Sequence, residues 1–122
     1  MGTFFVNALL AAPEKPEGRE LVKLLVDSGS TYTWASAELL RRLGVTATER
    51  RRVVTIEGQV VERDLAEVLI TLEGRTLHTL CFFGEAGDLG VLGAYTLEGF
   101  ALGIDPVQRK LIPAIQYGAA AA

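Results

Sequence analysis

Residues Asp27-Ser28-Gly29 follow directly on the apolar run Leu21-Val22-Lys23-Leu24-Leu25-Val26. A run of this kind, bounded by turn residues, reads as a strand. Its end then presents a carboxylate, a hydroxyl and a residue without a side chain, in that order. A carboxylate so placed is able to activate water. Average residue usage produces Asp-(Ser/Thr)-Gly by chance in on the order of one chain of this length in twenty. The meaning of the tripeptide therefore rests on its surroundings.

The chain has 122 residues, enough for one domain with a core and too few for two. Residues 1–116 are expected to form that domain, and 117–122, a tyrosine, a glycine and four alanines, a low-complexity tail. Apolar residues make up 49% and charged residues 22%, a globular composition. A net charge of −3 gives no electrostatic footprint for nucleic acid. Arg41, Arg42, Arg50, Arg51 and Arg52 cluster locally and read as a solvated helix end and loop. The single cysteine, Cys81, has no partner for an intrachain disulfide. The apolar start Thr3–Leu10 is interrupted by Asn7 and has no basic residue before it, a poor secretory signal. No run approaches the roughly 18 apolar residues of a membrane span. A cytoplasmic protein without membrane association is the expectation.

Short apolar runs separated by Gly, Pro and charged turns dominate, so the class is mainly β. Thr3–Ala12 and Arg19–Val26 read as a hairpin around Pro13-Glu14-Lys15-Pro16-Glu17-Gly18. Ser36 is placed to cap a short helix through Leu43, with Gly44 as its stop. Arg52–Ile56 and Gln59–Val61 read as two arms around Glu57-Gly58. Val68–Leu72 and Leu77–Phe83 form a further hairpin about Glu73-Gly74-Arg75, followed by a loop over 84–90. A short helix over Ala94–Glu98 and strands near Phe100–Ile104 and Lys110–Ile112 complete the pattern.

Leu24-Leu25-Val26-Asp27-Ser28-Gly29-Ser30 resembles the retropepsin-like aspartic peptidases, in which an apolar strand delivers Asp-Thr/Ser-Gly-Ala/Ser to the active site. In that family a later apolar-apolar-Gly element closes on the loop. Val91-Leu92-Gly93 matches it, continuing into Tyr95-Thr96-Leu97-Glu98-Gly99 and Leu102-Gly103-Ile104-Asp105-Pro106. The two motifs stand in the family's order, and the match runs from about Leu21 to Ile112. The resemblance implies a closed, mainly β acid-protease barrel with one or two short helices and an active site at a homodimer interface. It implies Asp27, Ser28 and Gly29 as catalytic residues, with the Ser28 hydroxyl bonding across the two-fold axis. It also implies the hairpin at Glu57-Gly58 as a flap, with Ser30, Ile56, Glu57, Gly58, Val91 and Leu92 about the substrate.

The chemistry agrees with a dimer. Hydrolysis without a metal or covalent nucleophile needs one carboxylate to deprotonate water and a neighbouring carboxylic acid to polarise the carbonyl. One aspartate cannot do both, and the chain has one Asp-Ser-Gly. The second carboxylate must be Asp27 of another copy. No metal or cofactor is required. The reading is an aspartic endopeptidase acting on an extended peptide. The alternatives are a non-catalytic dimeric peptide-binding module and a self-processing module, the latter disfavoured by a chain that starts at Met1 with no flanking region to cut.

Other candidates are weaker. Cys81 and His78 are three apart on one strand and so face opposite ways, which rules out a thiol–imidazole pair there. Asp105-Pro106 reads as a structural turn and Asp88 as a solvated loop residue. Tyr32 and Trp34 either support the Asp-Ser-Gly loop or line a subsite, support being preferred. The flap segment Thr55-Ile56-Glu57-Gly58-Gln59 departs from the better-known viral members in having a single glycine and an acidic residue near its tip.

Overall fold

The computed structural model describes residues 3–121; Met1 and Ala122, the two ends of the expected domain and tail, lie outside them, as does Gly2. Among the described residues nine strands and two short helices follow one another as β1 (Phe5–Ala11), β2 (Glu20–Val26), β3 (Thr33–Ser36), α1 (Ala37–Arg42), β4 (Glu49–Val54), β5 (Val60–Leu72), β6 (Arg75–Gly84), β7 (Val91–Leu92), α2 (Ala94–Gly99), β8 (Leu102–Asp105) and β9 (Lys110–Pro113). The fold is mainly β, as expected. Seven strands form one sheet in the order β1-β2-β7-β3-β6-β5-β4, and β8 with β9 forms a separate hairpin. β5 also pairs with β1, Leu9–Ala11 against Leu69–Thr71, so the ladder returns to the strand from which it set out.

Alternation along the strands explains the core. Ala8 and Leu10 of β1, Leu24 and Val26 of β2, and Val68, Ile70 and Leu72 of β5 all point inward. They meet Leu39 and Leu40 of α1, Leu97 of α2, and Leu102 and Leu111 of the terminal hairpin. Burial of this apolar surface is the main favourable term in the fold. Helix α1 starts as the sequence indicates: the Ser36 hydroxyl accepts the Leu39 N–H at 3.0 Å. It ends at Gly44, whose φ of +87° needs glycine.

Four expectations change. Thr33–Ser36, to which the sequence pattern assigned no element, is a strand running parallel to β6. β5 is one strand of 13 residues where two shorter ones were expected. It pairs with β4 through Val60–Leu65 and then with β6 through Leu65–Leu72, exchanging partners at Leu65. The two arms of this hairpin end at Val54 and Val60, so Ile56 and Gln59, expected on the arms, join Glu57 and Gly58 in the turn. There the Gly58 N–H donates to the Thr55 carbonyl at 2.9 Å and Thr55 N–H to the Gln59 carbonyl at 2.8 Å, with Gly58 at φ +85°. Finally, Arg50 and Arg51 lie on β4 with Arg52 and not in a loop. Arg50 pairs with Glu62 and Asp64, and Arg51 with Glu49.

Asp88 is not a freely solvated loop residue. Arg63 of β5 reaches it with Nε–Oδ2 2.8 Å and a second bond at 3.3 Å, and the Glu85 N–H donates to Oδ2 at 2.7 Å. The pair fastens the loop over 85–90 that leads into β7. The hydrogen bond from Arg63 holds the Asp88 carboxyl below its usual value of 3.8. A depressed carboxyl pKa stabilises the fold above the unfolded value, and that benefit is lost as pH falls through the folded one. Asp88→Asn is therefore expected to lower the denaturation midpoint at neutral pH, with the gap to wild type closing once pH drops below about 3.8. Equilibrium urea melts between pH 7 and pH 2.5 measure it, and a constant gap would mean that the carboxylate charge contributes nothing.

Candidate active site

β2 ends at Val26, and its direction is continued by one more ladder bond, from Asp27 N–H to the Leu92 carbonyl at 3.0 Å. β7 lies alongside, parallel to β2 with Leu25 opposite Val91 and Val26 opposite Leu92. On its other side β7 meets β3, Trp34 opposite Val91. The two sequence motifs are thus neighbours: Val91-Leu92-Gly93 is inserted between the strand that delivers Asp27 and the strand that leaves the loop.

The loop itself is a set of short-range bonds. Gly29 N–H donates to Asp27 Oδ1 at 2.9 Å, and Ser30 N–H to the Asp27 carbonyl at 3.2 Å. Among the described residues no donor reaches Asp27 Oδ2. The half-buried carboxylate thus has one oxygen fixed by the backbone and one available. Ser28 is exposed beside it. The Ser30 hydroxyl turns away from the carboxylate and donates to the Tyr32 carbonyl at 2.8 Å. Helix α2 closes the arrangement from behind. Its Gly93 N-cap supplies no side chain, and the free N–H groups of Ala94 and Tyr95 donate to the carbonyls of Ser30 and Thr31 at 2.8 and 2.9 Å.

Beneath the loop runs a buried chain of hydroxyls. Gly93 N–H donates to Thr33 Oγ1 at 3.1 Å, Thr33 Oγ1 lies 2.7 Å from Thr96 Oγ1, and Thr96 lies 2.7 Å from Thr79 Oγ1. The three threonines are the buried polar residues of the described chain, and no buried polar side-chain atom there is left without a partner. This network ties β3, α2 and β6 together under Asp27. Sequence reasoning did not find it, because its members are 63 and 17 positions apart and an isolated threonine carries no signal.

The remaining predicted residues divide into groups. Val91 is buried beside Leu25 and Trp34 on the carboxylate side of the sheet, whereas the Leu92 side chain sits in the core and reaches Asp27 only through its carbonyl. Ile56, Glu57 and Gly58 are exposed at the tip of the β4–β5 hairpin. His78 is exposed and pairs with Glu67, while Cys81 is fully buried on the opposite face, where desolvation pushes its thiol up to about 12. Asp105 is the last residue of β8, and its carboxylate accepts the N–H groups of Val107 and Gln108 at 3.0 Å in the turn that follows. A cavity of about 290 Å³ opens among Leu77, Thr79, Tyr95, Thr96 and Phe100 and contains none of the predicted site residues. Among the described residues no three His, Cys, Asp or Glu side chains cluster to hold a metal, and no helix is long and apolar enough to cross a membrane.

Comparison with known proteins agrees with this geometry. Residues 15–95, more than half of the chain, match the family model for aspartyl proteases. The chain belongs to the aspartyl protease family. Its fold is the retropepsin-like one. It is similar to the EIAV protease solved with the inhibitor HBY-793, at 19% identity and a TM-score of 0.55, over 80% of this chain and 86% of that one. It is similar also to a retropepsin-like aspartic protease from Rickettsia conorii, at 20% identity and a TM-score of 0.58, over 85% and 77% of the two chains. No curated protein matches it significantly.

Gly93 carries a direct prediction. A Cβ built there lies 2.5 Å from the Tyr32 carbonyl carbon and 2.8 Å from the Ser30 carbonyl oxygen, and closer still to the Tyr32 oxygen. Both partners are backbone of the Asp-Ser-Gly loop and have little room to yield. Gly93→Val is expected to cost about 1–3 kcal/mol or more by overpacking. Thr33→Val, which leaves the buried Gly93 N–H without an acceptor, is expected to cost about 1–3 kcal/mol. Thermal and urea melts of both variants provide the test, and wild-type stability in Gly93→Val would show that β7 does not press on the loop.

Proposed function

We propose that this protein is an aspartic endopeptidase in which Asp27 of two copies forms the catalytic dyad. The observation that carries the proposal is the state of the Asp27 carboxylate: one oxygen pinned by Gly29 N–H, the other free, at the end of a strand braced by β7. Such a group is oriented for proton transfer yet incomplete alone. A second copy related by a two-fold axis supplies the missing carboxyl. Ser28, exposed next to Asp27, is then free to bond across the axis.

Two adjacent carboxyls cannot both ionise easily, so they share one proton and titrate as a pair, the familiar behaviour of aspartic-protease dyads. The ionised member takes a proton from water as it attacks the peptide carbon. The protonated member donates to the carbonyl oxygen, giving a gem-diol; on collapse the first carboxyl passes the proton it took from water to the leaving amine nitrogen, the second takes one back from a gem-diol hydroxyl, and acid and amine are released with one proton left on the pair. The substrate lies extended between the dyad and the turn at Ile56, Glu57 and Gly58, pairing through its backbone, with Ser30 and Val91 beside it. In this reading the ladder that returns from β5 to β1 is a closed barrel, residues 1–116 are the domain, and 117–122 are a tail outside it.

Purified protein incubated with a peptide library is expected to cleave with a specific activity that rises with enzyme concentration and is greatest at mildly acidic pH. Asp27→Asn is expected to reduce turnover at least a thousandfold, on the order of the loss seen when one member of a catalytic unit is removed, while keeping the fold by circular dichroism. Hydrolysis retained by pure Asp27→Asn, or by a demonstrated monomer, would sink the mechanism. Binding of peptides without hydrolysis by the wild type would favour the non-catalytic module instead.

A further inference from the structure

The buried threonine chain holds one more proton than its bonds use. Thr33, Thr96 and Thr79 carry three hydroxyl hydrogens, and the two bonds that join them, each 2.7 Å, consume two. The Thr33 oxygen also accepts from Gly93 N–H, which consumes none. Among the described residues the three hydroxyls have no other hydrogen-bond partner. One O–H is therefore left over, and a buried donor without an acceptor is costly.

The fold decides where that hydrogen goes. Thr33 is completely enclosed. Thr79 and Thr96 both line the cavity of about 290 Å³ between α2 and β6, and Thr79 is the more open of the two, at 4% exposure against 1%. A spare proton on Thr33 would meet nothing, whereas one on Thr79 meets open space. The least costly arrangement runs the donors from Thr33 to Thr96 to Thr79 and offers the last O–H to the cavity.

The walls around this donor are apolar. Phe100 is buried, Leu77 is half-buried, and Tyr95 is exposed at the mouth. Polar groups there bring no free cation. His78 is the one basic side chain among the lining residues and is paired with Glu67, while Glu98 is acidic. Gln116 crosses the mouth, its amide N–H donating to the Glu98 carbonyl at 2.5 Å. An anion would face Glu98 without a counter-charge, so the cavity suits a neutral group. Its volume is at the small end of ligand pockets, room for a single substituted ring.

We infer that this cavity is a binding site for a small uncharged molecule, a ring bearing a carbonyl oxygen, with the Thr79 hydroxyl donating to that oxygen and Leu77, Tyr95 and Phe100 about the ring. The site is separate from the Asp27 loop and does not rest on the peptidase reading. It is nonetheless connected to that loop. A carbonyl on Thr79 fixes the direction of the whole hydroxyl chain, and each bond polarises the next as far as Gly93 N–H.

Benzamide is the probe, with benzoate as its anionic counterpart of the same shape. Wild-type protein labelled with ¹⁵N is titrated with each at neutral pH while the amide resonances are followed. Benzamide is expected to shift those of Leu77, His78, Thr79 and residues 95–100 saturably. Gly93 N–H is expected to move with the same midpoint, although Gly93 does not line the cavity. Benzoate is expected to bind at least fivefold more weakly. Thr79→Val is expected to weaken benzamide roughly fivefold, the worth of one neutral hydrogen bond, and Thr79→Ser to keep it. Shifts that are scattered or fail to saturate, benzoate binding as well as benzamide, or cavity shifts with Gly93 unmoved each overturn the inference and leave the peptidase reading standing. The wild-type titration needs no substitution, so it decides the matter even if Thr79→Val fails to fold.

Discussion

The close approach of Gly93 to the backbone of Ser30 and Tyr32 is the constraint on which the rest of the structure depends. Only a residue without a side chain fits there. That permits β7 to enter between β2 and β3, although it is just two residues long. Once in place, β7 pairs on both sides and offers the Leu92 carbonyl to Asp27 N–H. The helix that follows then begins directly beneath the loop, where its unpaired N–H groups find the carbonyls of Ser30 and Thr31. A single missing methyl group thus links the strand, the helix and the orientation of the carboxylate.

The threonine chain complements this arrangement. A backbone N–H buried at Gly93 has to be satisfied, since leaving it bare costs as much as a lost hydrogen bond. Thr33 supplies the acceptor, and Thr96 and Thr79 carry the bonding onward to α2 and β6. Hydroxyls suit the task because each donates once and accepts as well, so three of them satisfy one another in a line without any charge to desolvate. The chain beneath the loop is therefore uncharged from Gly93 to Thr79.

Much of this was legible in the sequence, and the parts that were not have physical reasons. Asp27-Ser28-Gly29 and Val91-Leu92-Gly93 are local motifs whose meaning survives without coordinates, and the Ser36 cap and Gly44 stop follow from short-range chemistry. β5 was harder, because Glu62-Arg63-Asp64 breaks its apolar pattern. That segment belongs to the flap hairpin, where both faces are wet, and inward alternation starts only near Ala66. β3 is four residues long, too short to show a period, and owes its existence to pairing with β6 about fifty residues later. Leu92 shows the limit of motif reading at a single position: the motif placed it beside the site, and only the pleat shows that its side chain faces the core while Val91 faces the carboxylate.

The same pleat gives the sheet two different faces in this small domain. On one face Leu24, Val26, Leu92 and Phe83 build the core, while Val91 and Trp34 lie on the other, the side that Asp27 takes. Each strand contributes alternately to both, so a one-residue slip of register would exchange them. β7 is too short to hold its register by length. Its register is set by the Gly93 contact and by the Asp88–Arg63 pair that anchors the loop ahead of it. Those two contacts, one steric and one electrostatic, decide which of two adjacent apolar residues packs the interior and which faces the carboxylate.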